Sequence, residues 1–179
     1  MDFNFIEVCA GGGGLSLGLE LAGFKPLLLN DINPDCCKTL ALNKTDCSIK
    51  CGSMDTLDAL LEKLSGHVDL LAGGVPCQSF SQAGLRKGLD DSRGELMFKY
   101  VDLIVKLNPK MFLIENVKGL LTHEKGETLN SIIMLIMLKT CNKYNIDYQV
   151  LNSVNFNVPQ KRERIFIIGY LQNMSFQIS

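Results

Sequence analysis

The sequence is short of several things that would announce a function. No stretch approaches the length of a membrane span, and no basic N-terminal region leads into an apolar one, so neither insertion nor export is expected. The expected location is a bacterial or phage-infected cytoplasm, or the nucleus if the source is eukaryotic. The formal net charge is only −1, without the basic excess usual in nucleic-acid binders. Contacts of that kind must come from local clusters, here Arg86-Lys87 with Arg93 and Lys161-Arg162 with Arg164; each cluster also reads simply as solvated surface. Histidines number two, His67 and His123, and they stand far apart. Seven cysteines are present, but no C-x-x-C pair, and the odd count without regular spacing points to free thiols. The spacing of Cys36, Cys37, Cys47 and Cys51 matches no common zinc site, so no metal is expected. Repeats, low-complexity segments and linkers are missing as well.

What is present is an ordinary globular balance, 46% hydrophobic and 21% charged over 179 residues, enough for one domain with a sizeable core. Strand and helix patterns alternate. Apolar runs at 3–10, 25–30, 47–51, 68–74 and 110–117 read as strands, and "YQVLNSV" and "RIFIIGY" as two more near the end. Between them lie helical patterns at 15–23, from Pro34 with Asn33 as cap, at 55–64, 95–107 and 126–143. Such alternation implies a mostly parallel sheet with helices on both faces. In these sheets ligands bind beyond the carboxyl ends of the strands. The unusual residues sit there: Gly11 to Gly14 after the first strand, Asp31 after the second, Pro76-Cys77 after the fourth, and Glu115-Asn116 ending the fifth.

Four glycines between a strand and a helix permit a tight turn and close backbone approach to a ligand. Asp31, about twenty residues beyond Gly11, stands where a carboxylate accepts hydrogen bonds from ribose hydroxyls. The pair indicates a nucleoside-containing cofactor without choosing between a dinucleotide and S-adenosylmethionine. Cys77, on a loop of small and polar residues, is a candidate nucleophile, although in isolation a cysteine reads equally as a small inert apolar residue. Glu115 is a carboxyl emerging from a buried strand. Arg162 and Arg164, two apart on an extended segment, point to one side and suit an anionic backbone or an electron-rich base.

Taken together, these residues resemble the cytosine carbon-5 DNA methyltransferases nearly end to end. "FIEVCAGGGGLSLGLELAG" looks like the family's first cofactor motif, "PCQSFSQAG" like its catalytic loop, and "ENVKGLL" like its glutamate motif. "GLDDSRGELMF" matches the segment between loop and helix, and "PQKRERIFIIGY" the Gln-x-Arg-x-Arg motif. The resemblance implies a Rossmann-like, S-adenosylmethionine-dependent methyltransferase fold, with residues 1–179 as a single catalytic domain. It implies a flipped cytosine in double-stranded DNA, a covalent Cys77 adduct at ring carbon 6, and Glu115 at ring nitrogen 3. Arg164 would stand near the base carbonyl and Arg162 would support the site. Gln78, Ser79 and Ser81 would face DNA and Arg93 a phosphate. Asn116, counted with this DNA set, would help to fix the loop carrying Cys77. For the cofactor, Gly11 and Gly13 form the turn, Asp31 takes the ribose, Ile32 packs on adenine, and Pro76 and Leu96 line the pocket.

Three departures accompany the resemblance. Cys9 stands where the family usually has Phe, and Gly52-Ser53 where it has Gly-Asp; Ser53 could accept the same adenine hydrogen bond, more weakly. The sequence also stops at Ser179, before the family's target-recognition domain and closing segment. A second polypeptide supplying the former is therefore an expected partner. A restriction-modification enzyme is the leading expectation. A transfer-RNA cytosine methyltransferase on the same scaffold is the alternative, and Gln78-Ser79 after Pro-Cys favours the DNA enzymes. A non-catalytic or split-enzyme subunit is the other.

Overall fold

The computed structural model describes residues 3–44, 46–76 and 92–174, with the backbone alone at 92–94. Its strands are β1 (Asn4–Val8), β2 (Lys25–Asp31), β3 (Ser48–Cys51), β4 (Leu70–Gly73), β5 (Met111–Val117), β6 (Tyr144–Asn152) and β7 (Glu163–Leu171). Its α-helices are α1 (Gly14–Leu21), α2 (Pro34–Asn43), α3 (Asp58–Leu64), α4 (Ser92–Leu107) and α5 (Glu127–Lys139). The seven strands run in the order β3-β2-β1-β4-β5-β7-β6. β1–β2, β1–β4 and β2–β3 are parallel, whereas β6–β7 is antiparallel. This mostly parallel sheet with helices is the arrangement that the alternating pattern predicts.

By internal packing the chain divides into two compact units, Met1–Gly74 with Lys106–Phe112, and Val75–Val105 with Leu113–Ser179. In the first, β1 and β4 are buried almost throughout, as inner strands of a parallel sheet should be, although β1 carries Glu7 in its middle. Phe5, Ile6, Leu28, Leu29, Leu40, Leu61 and Leu71 form its core. The chain builds outward from β1 to β2 and β3, then returns to lay β4 on the other side of β1. That reversal is a topological switch point, where such sheets open a ligand crevice.

In the second unit Ile165 and Ile167 of β7 point inward on the alternation of a half-buried strand, joining Met97, Tyr100, Val101, Ile114, Ile132 and Ile136. Tyr100 is fully buried, and its hydroxyl donates to the Leu113 carbonyl at 3.0 Å.

Three element boundaries differ notably from the sequence expectation. α5 ends at Lys139 rather than 143, because Cys141 and Asn142 take left-handed backbone at φ 53° and 56° and close the helix, Asn142 N–H donating to the Met137 carbonyl at 2.8 Å. β6 then starts at Tyr144, four residues ahead of the expected Tyr148. Its first residues, Tyr144-Asn145-Ile146-Asp147-Tyr148, alternate apolar and polar, with Tyr144 buried and Asn145 and Asp147 exposed, and their pairing with β7 extends the strand back to Tyr144. The helix expected at 55–64 begins instead as a 3₁₀ turn, Met54–Leu57, capped by Ser53.

Candidate active site

The glycine turn of the first unit hangs on one carboxylate. Asp31, at the end of β2, accepts from Gly11 N–H at 2.8 Å through Oδ2 and from Asn33 N–H at 2.8 Å through Oδ1. It thus ties the loop after β1 to the loop after β2 while each oxygen keeps a second lone pair for a ligand hydroxyl. Gly11 has φ +56° and Gly13 φ +90°. The left-handed backbone of Gly13 favours glycine, and a Cβ there would also lie 2.9 Å from Cδ2 of the buried Leu40 on α2. A Cβ on Gly11 or Gly12 would meet nothing within 4 Å, and the backbone of these two is open to an approaching ligand.

Ile32, next to Asp31, is 73% exposed, an apolar side chain set in water beside the carboxylate. Cys9 also adopts left-handed backbone, at φ 54°, and burial with Asp31 and Glu7 nearby pushes its thiol up to about 11, so it is a neutral thiol. Ser53 accepts from Asp55 N–H at 3.4 Å and donates its hydroxyl to Asp55 Oδ2 at 2.8 Å. Asp55 is a residue that sequence reading passed over. It places a carboxylate against the serine that replaces the family's aspartate, and only its position two residues after Ser53 hinted at this. Beneath the same loop the Cys37 thiol lies 3.3 Å from the Asp31 carbonyl and contacts the Cys51 thiol. The described cysteines are free.

The second unit gathers its charges at the end of β5. Glu115 Oε1 lies 3.1 Å from Arg164 Nε and 3.6 Å from Arg162 Nη2, so both arginines reach one oxygen of one carboxylate. β7 places them. Arg164 and Arg162 fall on one side of the extended chain, while Glu163 between them turns to Lys118 Nζ at 2.9 Å. That lysine holds the Glu163 carboxyl below its ordinary value. Arg164 also donates through Nη1 to the Glu163 carbonyl at 2.8 Å, which steadies its guanidinium.

Asn116 is buried. Its Nδ2 donates to the Val75 carbonyl at 2.8 Å, and its Oδ1 accepts from Val117 N–H at 2.8 Å. One side chain thereby clamps the backbone two residues before Cys77. Pro76 is exposed and Leu96 half-buried on α4. Cys77, Gln78, Ser79 and Ser81 lie outside the described residues, as does the side chain of Arg93.

A glycine turn at a switch point and a Glu–Arg–Arg cluster at the end of a later strand fit many enzymes taken singly, so the comparison with known families decides. The C-5 cytosine-specific DNA methylase family matches over residues 3–179. The chain belongs to that family. Type II methyltransferase M.Eco47II of Escherichia coli is 40% identical to the chain over 174 residues, 97% of this chain and 40% of that protein. M.Sau96I of Staphylococcus aureus is 41% identical over 97% of this chain, again across 40% of its own length. The chain thus spans well under half the length of these two methylases. With M.AquIA of Picosynechococcus it shares 38% identity over 99% of this chain and 75% of that protein.

Among solved structures, a DNA modification methyltransferase encoded within an E. coli prophage superposes with a TM-score of 0.81 at 28% identity, covering 99% of this chain and 49% of that one. The S. pombe Dnmt2 methyltransferase, at TM-score 0.68 and 22% identity over 98% of this chain and 51% of its own, shares the fold. Among the described residues no helix is long and apolar enough to cross a membrane.

Proposed function

We propose that the chain is the catalytic portion of a Type II restriction-modification methylase that transfers a methyl group from S-adenosylmethionine to carbon 5 of cytosine in DNA. The observation that carries this is the convergence of Arg164 and Arg162 on Glu115, beside an asparagine that clamps the backbone at Val75, two residues before Cys77. In this reading the single catalytic domain spans residues 1–179.

The target cytosine leaves the stack, because its reacting carbons are out of reach inside a duplex. The Cys77 thiolate adds to carbon 6 and forms a C–S bond, while ring nitrogen 3 takes a proton or a strong hydrogen bond from Glu115. With Oε1 engaged by the arginines, Oε2 is the oxygen that meets the base. Arg164 stands by the base carbonyl and holds Glu115 in place, and Arg162 supports both. When bound, S-adenosylmethionine supplies an electrophilic methyl group. Carbon 5, made electron-rich by the addition, takes that methyl and then gives up its proton to a base. The electron pair of the broken C–H bond expels Cys77.

The first unit fits this cofactor. The open backbone at Gly11–Gly12 admits close approach, Asp31 retains lone pairs for ribose hydroxyls, and Ile32 offers an apolar face to adenine. Ser53 with Asp55 offers acceptors for the adenine amino group. The family resemblance assigns Pro76 and Leu96 to the cofactor, and Gln78, Ser79, Ser81 and Arg93 to DNA. The location that follows is a bacterial or phage-infected cytoplasm.

The test mixes the chain with labelled S-adenosylmethionine and duplex DNA carrying 5-fluorocytosine, which blocks loss of the carbon-5 substituent and traps the adduct. A covalent protein–DNA band absent in Cys77→Ala is expected, and equal trapping by that variant sinks the mechanism. A band that appears only with a second polypeptide bearing a target-recognition domain identifies a split enzyme.

A further inference from the structure

One buried acid of the first unit has no part in the chemistry above. Glu7 lies in the middle of β1 and is 1% exposed. Its carboxyl meets Ser16 of α1 at both the N–H and the hydroxyl, while Oε2 has no hydrogen-bond partner among the described residues. Ser16 is itself fully buried, and its hydroxyl donates to the Gly13 carbonyl at 3.0 Å. A hydroxyl has one proton to give. When Ser16 gives that proton to the Gly13 carbonyl, the Glu7–Ser16 hydroxyl contact is satisfied only by a proton on Glu7; when Ser16 gives it to an ionised Glu7, the Gly13 carbonyl loses it.

The surroundings favour the protonated state. Burial pushes the Glu7 carboxyl up to about 8, against the smaller opposing pull of Ser16 and Lys44. The charged and titratable groups facing it are few. Lys44, just past α2, is ion-paired to Glu20. Asp31, at the end of β2, adds negative charge and disfavours ionisation. Cys9, on the same strand, is a neutral thiol. From β4 the register partner is Ala72, which cannot titrate.

We propose that Glu7 is a positioning residue that works in its protonated form, a hydrogen-bonded post running from Glu7 through Ser16 to the Gly13 carbonyl that holds the glycine turn in its ligand-accepting shape. Loss of its proton turns the Ser16 hydroxyl away from Gly13 toward the new carboxylate, and the turn loosens. Cofactor affinity therefore depends on Glu7 remaining protonated. This rests on the reading that Gly11–Gly13 receive S-adenosylmethionine.

The experiment measures calorimetric dissociation constants for S-adenosylhomocysteine between pH 6.5 and 9.5, using the full chain, Glu7→Gln, Glu7→Ala and Ser16→Ala. The ligand's own amino group titrates equally in all four and cancels in the comparison. Glu7→Gln keeps an N–H donor toward Ser16 but cannot titrate. Above pH 8 the unmodified chain should weaken by up to about tenfold per pH unit relative to Glu7→Gln, the limit for one coupled proton. Near pH 7 Glu7→Gln should recover most of the affinity that Glu7→Ala loses, and Ser16→Ala should flatten the profile in its own way. Parallel profiles for the unmodified chain and Glu7→Gln, or for the unmodified chain and Ser16→Ala should Glu7→Gln fail to fold, overturn the inference and leave the cofactor reading intact. Absence of binding by the unmodified chain at every pH overturns the cofactor reading instead.

Discussion

Glu115 is the residue on which the second unit turns. Two guanidiniums on a single carboxylate oxygen serve positioning, and removing either leaves the charge of Glu115 less well placed. Glu115→Gln keeps the shape but cannot exchange a proton with ring nitrogen 3, so kcat is expected to fall by about 10²–10³-fold or more while DNA affinity changes little. Arg164→Lys keeps a positive charge but loses the planar fork, and should fall between the native enzyme and Arg164→Ala in kcat. If Arg164→Lys equals the native enzyme, the arginine contributes charge alone. Glu7 is the other decisive carboxyl, and its effect on stability has a definite sign. Its folded-state value of about 8 stands above the ordinary 4.5, so the folded chain retains a proton that the unfolded chain releases. The stability this group contributes is complete below about pH 4.5 and is lost as pH rises through 8. Glu7→Gln does not titrate. Its Tm relative to the native chain should therefore climb from pH 5 to pH 8 and level off beyond. A difference constant across that range would show that Glu7 is ionised throughout.

At the scale of elements, the turn between β1 and α1 separates required glycine from tolerated glycine. Gly13 combines φ +90° with a 2.9 Å approach of Leu40 to any added Cβ. Gly13→Ala is expected to lose about 1–3 kcal/mol in urea unfolding. Gly18, inside α1, meets nothing within 4 Å, and Gly18→Ala should gain about 0.5–1 kcal/mol from helix propensity alone. Equal effects at the two sites would mean that helix α2 does not press on the turn. Asn116 gives a prediction of another kind. Its amide ties the end of β5 to the Val75 carbonyl at 2.8 Å, so Asn116→Ala should slow formation of the trapped Cys77 adduct while S-adenosylhomocysteine binding stays within about twofold. Loss of cofactor binding in that variant would assign the clamp to general folding.

For the whole molecule, the charge balance bears on DNA. The net charge is −1, and the chain spans 40% of the length of M.Eco47II. Non-specific duplex affinity arises mostly from cations neutralising phosphates. The chain alone should therefore hold duplex DNA weakly, with a shallow dependence on salt in a titration from about 50 to 200 mM. Addition of a polypeptide bearing a target-recognition domain should steepen that slope. Tight binding by the chain alone would place the main DNA surface within these residues.

Much of this protein was legible before any coordinates. Strands β1, β2, β4 and β5 are local apolar runs, and the glycines, Asn33 and Pro34 punctuate them by chain-local geometry, so sequence alone determined the α/β alternation and the edge at which ligands gather. It also determined the family, because five short motifs in order leave little freedom. It could not show where β6 begins: pairing with β7 from Tyr144 onward decides that, because an alternation as short as Tyr144-Asn145-Ile146-Asp147 suits a connecting loop equally well. Nor could it show partnerships across long separations. Arg164 reaches Glu115 only because β7 returns to the sheet beside β5, and Asn116 meets Val75 across 41 residues of chain. In the sequence Glu7 is one acid within an apolar run. Only the tertiary structure buried it against Ser16 and Gly13, because the cost of removing a carboxyl from water, and hence where its proton resides, depends on what surrounds it rather than on what precedes it in the chain.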